Sequence, residues 1–358
     1  MKTESNSHII SNKSILTVGC SFKNPKGGIA QVLNTYSKYV FQKFNCIINS
    51  TNRGFLTNVI VLTFSYIQTL LILIFNPNIR IIHIHTASYR SFQRSSLWVN
   101  LAKFFKKKVI LHIHGGAFKE YYKTNPTWIQ SVLNKCDCII TLSNEWKNFF
   151  TSELKCKNVR IIPNIVPYPS ATGIIPDDKF HLLFLGLITE NKGIFDLLDV
   201  LKDHKSDFQD KLILHIGGNG KIAELKEFIK NNSLESIVKY EGFVSGNRKT
   251  ELFNIANAFI LPSYIEGLPI SILEAMSYSL PILSTNVGGI PEIVENDRNG
   301  ILFSPGDQQQ MEDSIAALMN NPQRLKEMGT ASHDMIEKFL PNSVSLKLSE
   351  VYNELLKL

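Results

Sequence analysis

Residues 259–274 read Phe-Ile-Leu-Pro-Ser-Tyr-Ile-Glu-Gly-Leu-Pro-Ile-Ser-Ile-Leu-Glu: a short apolar run, a loop, and then a helical pattern that continues through Glu-Ala-Met-Ser-Tyr. Strand followed by loop followed by helix is the repeating unit of an α/β protein. Proline favours the first helical position, so Pro269 is expected to open the helix, with Glu266 in the loop before it and Glu274 on the second turn. The backbone of Gly267, Leu268, Pro269 and Ile270 would then lie at a positive helix end, where free amides suit a phosphate. Glu274 could accept hydrogen bonds from a pair of ribose hydroxyls and Glu266 from sugar hydroxyls. Two glutamates at this spacing also arise by chance, as a surface loop and a local ion pair.

The same rhythm runs outward in both directions. Before this stretch, Ile15 to Val18, Ile79 to Ile84, Val109 to His114, Ile139 to Leu142 and Val159 to Ile162 read as strands separated by helical patterns, as expected of a parallel sheet. Residues 162–176 contain four prolines and a glycine, which cannot continue a helix or a central strand. The rhythm restarts with Leu182 to Leu185, Leu212 to Ile216, Ile237 to Phe243, Phe259 to Leu261 and Ile282 to Ser284, and becomes helical from Met311. A chain of 358 residues is too long for one small core. The expected organisation is therefore an α/β fold of two Rossmann-like domains: residues 1–165, a linker at 166–178, residues 179–340, and a last helix at 341–358 packing back toward the first domain.

Charge is divided unevenly between the halves. Residues 1–168 hold 21 Lys and Arg against 5 Asp and Glu, a surplus of +16, whereas residues 169–358 hold 17 against 26, a deficit of 9. A basic half suggests an anionic surface such as lipid headgroups or a phosphorylated lipid, although charge also serves solubility. Its lysines, Lys106 to Lys108 for example, are not interleaved with aromatics in a stacking motif, so nucleic acid is not expected as a partner. The five cysteines lack paired metal or redox spacing, and Met1 to Ser14 lack an apolar signal core; both favour a cytoplasmic location. No charge occurs from Gly54 to Ile79, and Phe55 to Phe75 is long enough to cross a bilayer. Three readings remain open for it: a span, a helix buried on the sheet, or a helix partly sunk into a membrane face. Its Thr and Gln residues, and the need for the flanking strands to share one sheet, count against the span.

Other glycine turns follow strands. Gly27 and Gly28 open a helix after the first strand, where backbone can approach an anion closely. Gly186 to Gly193 places Lys192 at a helix start, a cation suited to a pyrophosphate leaving group. Gly217 and Gly218 make a further turn of this kind, common in any α/β protein. His83 and His85 share one face of their strand and His112 and His114 one face of theirs. His114, at a strand's carboxyl end, is expected to reach a ligand cleft, and His112 to be packed within the sheet; metal binding by the four lacks the rest of a convincing ligand set.

Together these residues resemble the retaining glycosyltransferases of family 4, which have the GT-B fold. The resemblance runs through Gly27/Gly28, H-I-H-T-A-S at 83–88, H-G-G at 114–116, I-P-N at 162–164, the glycine turn with Lys192, E-G-L-P-I-S-I-L-E-A-M-S at 266–277 and V-G-G-I-P-E at 287–292. It implies that Glu274 binds the ribose, Glu266 contacts the transferred sugar, Lys192 binds the diphosphate, Gly28 approaches the distal phosphate and His114 sits beside the reacting sugar. It also implies that Gly242, Phe243 and Val244 read the nucleobase through their backbone. Members usually carry arginine after the first glycine of the lysine loop, where this chain has Leu187; Arg248 is a candidate substitute. Ile165 stands where glycine is common.

The resulting expectation is a retaining transferase moving a hexose-type sugar from a UDP- or GDP-sugar to a glycan or lipid-diphosphate-linked acceptor, in capsule, exopolysaccharide or O-antigen synthesis, at the inner membrane face. No Asp-x-Asp occurs, so no cofactor or metal is expected. The alternatives are a non-catalytic nucleotide-sugar-binding protein, with Leu187 marking lost catalysis, or a nucleotide-sugar epimerase on the same fold.

Overall fold

Runs of β-branched and aliphatic residues between helical segments produce two fully parallel sheets of six strands each. The computed structural model describes residues 10, 13–51, 53–170 and 178–357. Most of the expected linker, 171–177, lies outside the described residues, as does most of the segment preceding Ser14. The chain divides into two units, Met1–Pro167 with Phe339–Leu358, and Tyr168–Lys338.

The first unit runs β1 (Ile15–Cys20), α1 (Gly28–Thr35), β2 (Cys46–Ser50), α2 (Phe55–Phe75), β3 (Ile81–Thr86), α3 (Arg90–Phe104), β4 (Lys108–Ile113), α4 (Phe118–Thr124), α5 (Pro126–Leu133), β5 (Cys138–Thr141), α6 (Asn144–Asn148) and β6 (Val159–Ile161). The sheet order is β2-β1-β3-β4-β5-β6, so the chain reverses direction across the sheet between β1 and β3. Open α/β sheets bind ligands beyond the carboxyl ends of the strands at such a point, and the Gly27/Gly28 turn follows β1 there. Helix starts are set by polar caps: the Asn125 side chain accepts from Trp128 N–H ahead of Pro126, and Ser143 from Trp146 N–H.

The second unit runs β7 (Phe180–Leu185), α7 (Ile194–Asp203), α8 (Lys205–Phe208), β8 (Leu212–Gly217), α9 (Ile222–Asn231), β9 (Val238–Gly242), α10 (Gly246–Ile255), β10 (Ala258–Leu261), α11 (Ile270–Ser277), β11 (Ile282–Thr285), β12 (Gly300–Phe303), α12 (Gln308–Met319) and α13 (Pro322–Met335). Its order, β12-β11-β10-β7-β8-β9, puts the reversal between β7 and β10. The last helix, α14 (Pro341–Lys357), belongs to the first unit: Tyr352 Oη meets His83 Nδ1 at 2.7 Å, and Arg80 donates to Leu356 O.

Two strands have no counterpart in the sequence reading, β2 and β12. Both lie at sheet edges, where a strand pairs on one side only and C-I-I-N-S or G-I-L-F suffices. The helix after Glu266 starts one residue later than expected: Pro269 is its cap, at φ −70° and ψ 121°, and its carbonyl accepts the first helical bond from Leu273. Helix α2 packs on the sheet through one face only, so the reading of a helix buried there does not hold.

The four histidines of β3 and β4 form a stack inside the first unit. His112 and His114 rings lie 4.1 Å apart, His85 and His114 5.1 Å, and His83 and His112 5.4 Å. Burial keeps them neutral, holding His83 at about 3, His114 at about 4, and His85 and His112 well below the ordinary value. The unfolded chain takes up protons near pH 6.5 that the folded chain refuses, so this stability is complete above about pH 6.5 and is lost as pH falls below it. Each such histidine contributes up to about 1.4 kcal/mol per pH unit of that fall. The melting temperature should therefore drop between about pH 7.5 and about pH 5; a flat profile over that range would contradict neutral burial of the stack.

Candidate active site

In the second unit, the candidate residues gather where β7 and β10 lie side by side. The loop after β7 carries Gly186, whose N–H donates to Gly217 O at 3.0 Å, and ends in a short turn, Glu190–Lys192. Gly193 then adopts φ +64°, and a Cβ there would lie 2.0 Å from Pro262 O. Only glycine lets this loop close against the one after β10. Tyr264 N–H donates to Asn191 O at 2.9 Å, which joins the two loops directly.

That closure brings Lys192 to Glu266. Lys192 Nζ donates to Glu266 Oε1, and Ser263 Oγ donates to the same oxygen at 2.9 Å. Behind the loop, Gly288 at φ +55° touches Glu266 so closely that a Cβ would sit 2.1 Å from Glu266 O, and Gly289 N–H donates to Gly267 O at 2.8 Å. The V-G-G-I-P-E segment thus serves as the backing of the E-G-L-P loop. Leu268 and Ile270 are buried beneath it.

Glu274, on α11, is also buried, and Lys249 Nζ from α10 donates to its Oε1 at 2.6 Å. A carboxylate removed from water costs several kcal/mol unless paired, so each glutamate of the motif carries its own lysine. Lys249 was not among the residues singled out in the sequence. Its neighbour Arg248, the candidate substitute for a missing cation, instead pairs with Glu241 at 2.7 Å and Glu251 at 3.1 Å and is half exposed. Leu187 is 52% exposed and supplies no charge.

Strands β8 and β9 end beside these loops. Gly218 N–H donates to Gly242 O at 2.8 Å, Val244 packs over Gly217, and Phe243 is exposed. The second unit therefore brings together Gly186, Lys192, Gly218, Phe243, Val244, Glu266, Gly267, Leu268, Pro269, Ile270 and Glu274 at the carboxyl ends of β7 to β10.

Gly27, Gly28 and His114 belong to the first unit. Gly27 is extended and caps α1, which starts at Gly28, and a Cβ on Gly27 would meet nothing within 4 Å. His114 follows the end of β4, half-buried, with Nε2 2.9 Å from His85 Nδ1 and Nδ1 3.2 Å from Asn164 Oδ1. Burial pulls its basicity down and the Asn164 contact partly restores it. Both ring nitrogens are thus engaged within the unit. His112 is a packed strand residue, as expected. Ring nitrogens of His83, His85 and His112 lie within 4.8 Å of one another, which gives the donor set of a metal site, but His83 spends its nitrogens on Tyr352 and on His112, 3.3 Å away.

Residues 37–168 match the family described as Glycosyltransferase Family 4, and residues 170–335 the one described as Glycosyl transferases group 1. The chain is 28% identical over 245 residues to an uncharacterized glycosyltransferase of Methanocaldococcus jannaschii, covering 68% of this chain and 64% of that one. It is 24% identical over 235 residues to the putative colanic acid biosynthesis glycosyltransferase WcaL of Salmonella typhimurium, covering 63% and 55%. The chain thus spans less than two thirds of either relative. Sucrose-phosphate synthase from Thermosynechococcus elongatus superposes with a TM-score of 0.79 at 15% identity, over 96% of this chain and 99% of that one. Anabaena HepE in complex with UDP-glucose superposes at 0.75 and 18%, over 95% and 99%. With most of its length divided between two glycosyltransferase family matches and two parallel Rossmann-like sheets in one chain, the protein belongs to glycosyltransferase family 4 and has the GT-B fold.

Proposed function

We propose that this glycosyltransferase moves a hexose-type sugar from a UDP- or GDP-sugar, with retention and without a metal, to a glycan or lipid-diphosphate-linked acceptor in cell-surface polysaccharide synthesis. The observation that carries the proposal is the pair of buried glutamates each met by a lysine, Lys192–Glu266 and Lys249–Glu274, flanking the start of α11. UDP-glucose in HepE supports the donor class, and WcaL supports the pathway.

In this reading the ribose hydroxyls donate to Glu274, the sugar hydroxyls to Glu266, and the backbone of Gly242 to Val244 meets the base. Lys192, an ammonium with donors beyond the one given to Glu266, also meets the diphosphate, helped by the amide end of α11. The role given to Lys249 is to hold and orient Glu274. The bond from the anomeric carbon to the phosphate oxygen breaks as the acceptor oxygen attacks from the same side, and a phosphate oxygen takes the acceptor's proton. The nucleoside diphosphate leaves, its charge countered by Lys192. A role for His114 at the sugar requires it to give up one of its two ring contacts. Gly27 and Gly28 are assigned to the distal phosphate. The absence of an Asp-x-Asp motif is the reason for proposing that no metal takes part. The basic surplus of residues 1–168 supports a cytoplasmic location at the inner membrane face.

Leu187 favours a second reading, a protein that binds nucleotide-sugar without turnover. Release of nucleoside diphosphate from UDP-, GDP- and ADP-sugars separates the two. Turnover with one donor, unchanged by EDTA, is expected; loss of a charge-assisted contact in Glu274→Ala should cost roughly 10- to 100-fold in kcat/KM. Binding without release, even with lipid-linked acceptors supplied, would establish the second reading. Proton NMR of the product should show the donor's anomeric configuration, and an inverted product would refute the proposed mechanism.

A further inference from the structure

Helix α2 carries an apolar face outward as well as inward. Its buried residues are Ser65, Thr69 and Leu73, while Leu56, Ile60, Phe64, Ile67, Leu71 and Ile74 form a stripe on the opposite side. Ile60 and Phe64 are each 69% exposed. The inward hydroxyls are satisfied locally: Thr69 Oγ1 donates to Ser65 O at 2.8 Å and accepts from Trp98 Nε1 at 3.0 Å, and Ser65 Oγ donates to Leu62 O. Leu62, Tyr66, Leu70 and Ile72 pack partly against the core beside Leu73, so the helix is apolar on both faces, whereas a helix that only covers a soluble core turns a polar face outward. Although α2 is long and apolar enough to cross a membrane, β2 before it and β3 after it both pair parallel with β1. A span would put those two strands on opposite sides of the bilayer, so the helix cannot cross.

The surroundings of the stripe select its occupant. Asp and Glu are absent from residues 5 to 119, whereas Lys and Arg recur through them. Arg53 is exposed just before the helix, and at the other end Lys107 reaches Pro77 O at 3.5 Å, beside exposed Lys106 and Phe104. A second copy of the chain would meet like charge at both ends of the stripe. An anionic bilayer offers apolar depth in the middle and phosphate at the ends.

We propose that α2 lies in the plane of an anionic bilayer, with the Leu56 to Ile74 stripe immersed below the headgroups and Arg53, Lys106 and Lys107 on lipid phosphates. This deepens the membrane-side location proposed above by assigning it to one helix, and it does not depend on donor or acceptor. The held helix fixes the first unit on the membrane, so acceptors carried on lipid are met without release into solution.

The test is flotation of the full chain with vesicles of phosphatidylcholine and phosphatidylglycerol. Wild type should float, and high salt should weaken the binding without abolishing it, because part of the attraction is apolar. Combined Ile60→Ser, Phe64→Ser and Ile67→Ser should lower vesicle affinity by roughly tenfold or more, with melting temperature and nucleotide release unchanged. Phe64→Trp keeps the apolar surface, and the fluorescence of the introduced indole should be quenched by lipids brominated in the acyl chain. Wild type that floats while the serine variant floats equally well, or Phe64→Trp fluorescence untouched by brominated lipid, would overturn the assignment to α2 alone. Wild type that does not float would overturn the membrane location as well. A dimer in solution that the serine variant dissolves, with no flotation, would give the face to a second copy instead. Loss of turnover in the previous test leaves every one of these results unaffected.

Discussion

A carboxylate taken out of water must find a cation, and the second unit meets that requirement twice within nine residues of chain. Glu266 and Glu274 are both buried, and both are matched by a lysine from another element. Without Lys192 or Lys249 an unpaired charge would remain in a low-dielectric site, at a cost of several kcal/mol. Much of the local architecture follows from this. Gly193 closes one loop on the other, Tyr264 bonds to Asn191, and Gly288 and Gly289 brace the Glu266 loop from behind. In the proposed reaction the two carboxylates meet the sugar and ribose hydroxyls, and Lys192 also meets the incoming diphosphate.

The first unit deals with polar groups differently. The four histidines of β3 and β4 are kept neutral and turned toward one another, toward Tyr352 from α14 and toward Asn164. Helix α2 turns Ser65 and Thr69 inward, bonded to its own carbonyls and to Trp98 among Leu62, Tyr66, Leu70 and Leu73, and leaves a second apolar stripe around Ile60 and Phe64 outside. Each such side chain is worth roughly 1.5–3 kcal/mol when removed from water. A stripe of them facing outward is costly in solution and favourable against lipid, which gives the basic surplus of this half a physical counterpart.

The sequence made the alternation of strands and helices legible because parallel, doubly covered strands read as unbroken apolar runs. The edge strands β2 and β12 escaped, since a strand with one partner tolerates a weaker pattern. The position of Glu266 before the helix and of Glu274 within it could be derived from Pro269, one residue apart from the observed start. Lys249 could not. It lies on a helix with weak apolar periodicity, 25 residues from its partner, and looks like any solvated lysine until α10 and α11 are placed side by side. The same distance in sequence hid the backing role of Gly288. Arg248 was the more conspicuous cation and turned out to be tied to Glu241 and Glu251. The sequence left three readings of α2 open and could not choose among them, because composition gives the amount of apolar surface and not which side of a helix meets the sheet.

Calorimetric titration of the intact chain with UDP, GDP and ADP, repeated for Glu274→Ala, Lys249→Ala and the double substitution, tests most directly whether the paired carboxylate holds the nucleotide. One diphosphate should bind at a single site, each single substitution should weaken it, and the double should be no weaker than the worse single, as coupled partners require. Binding that survives both substitutions undiminished, or a chain that binds none of the three, would contradict the account.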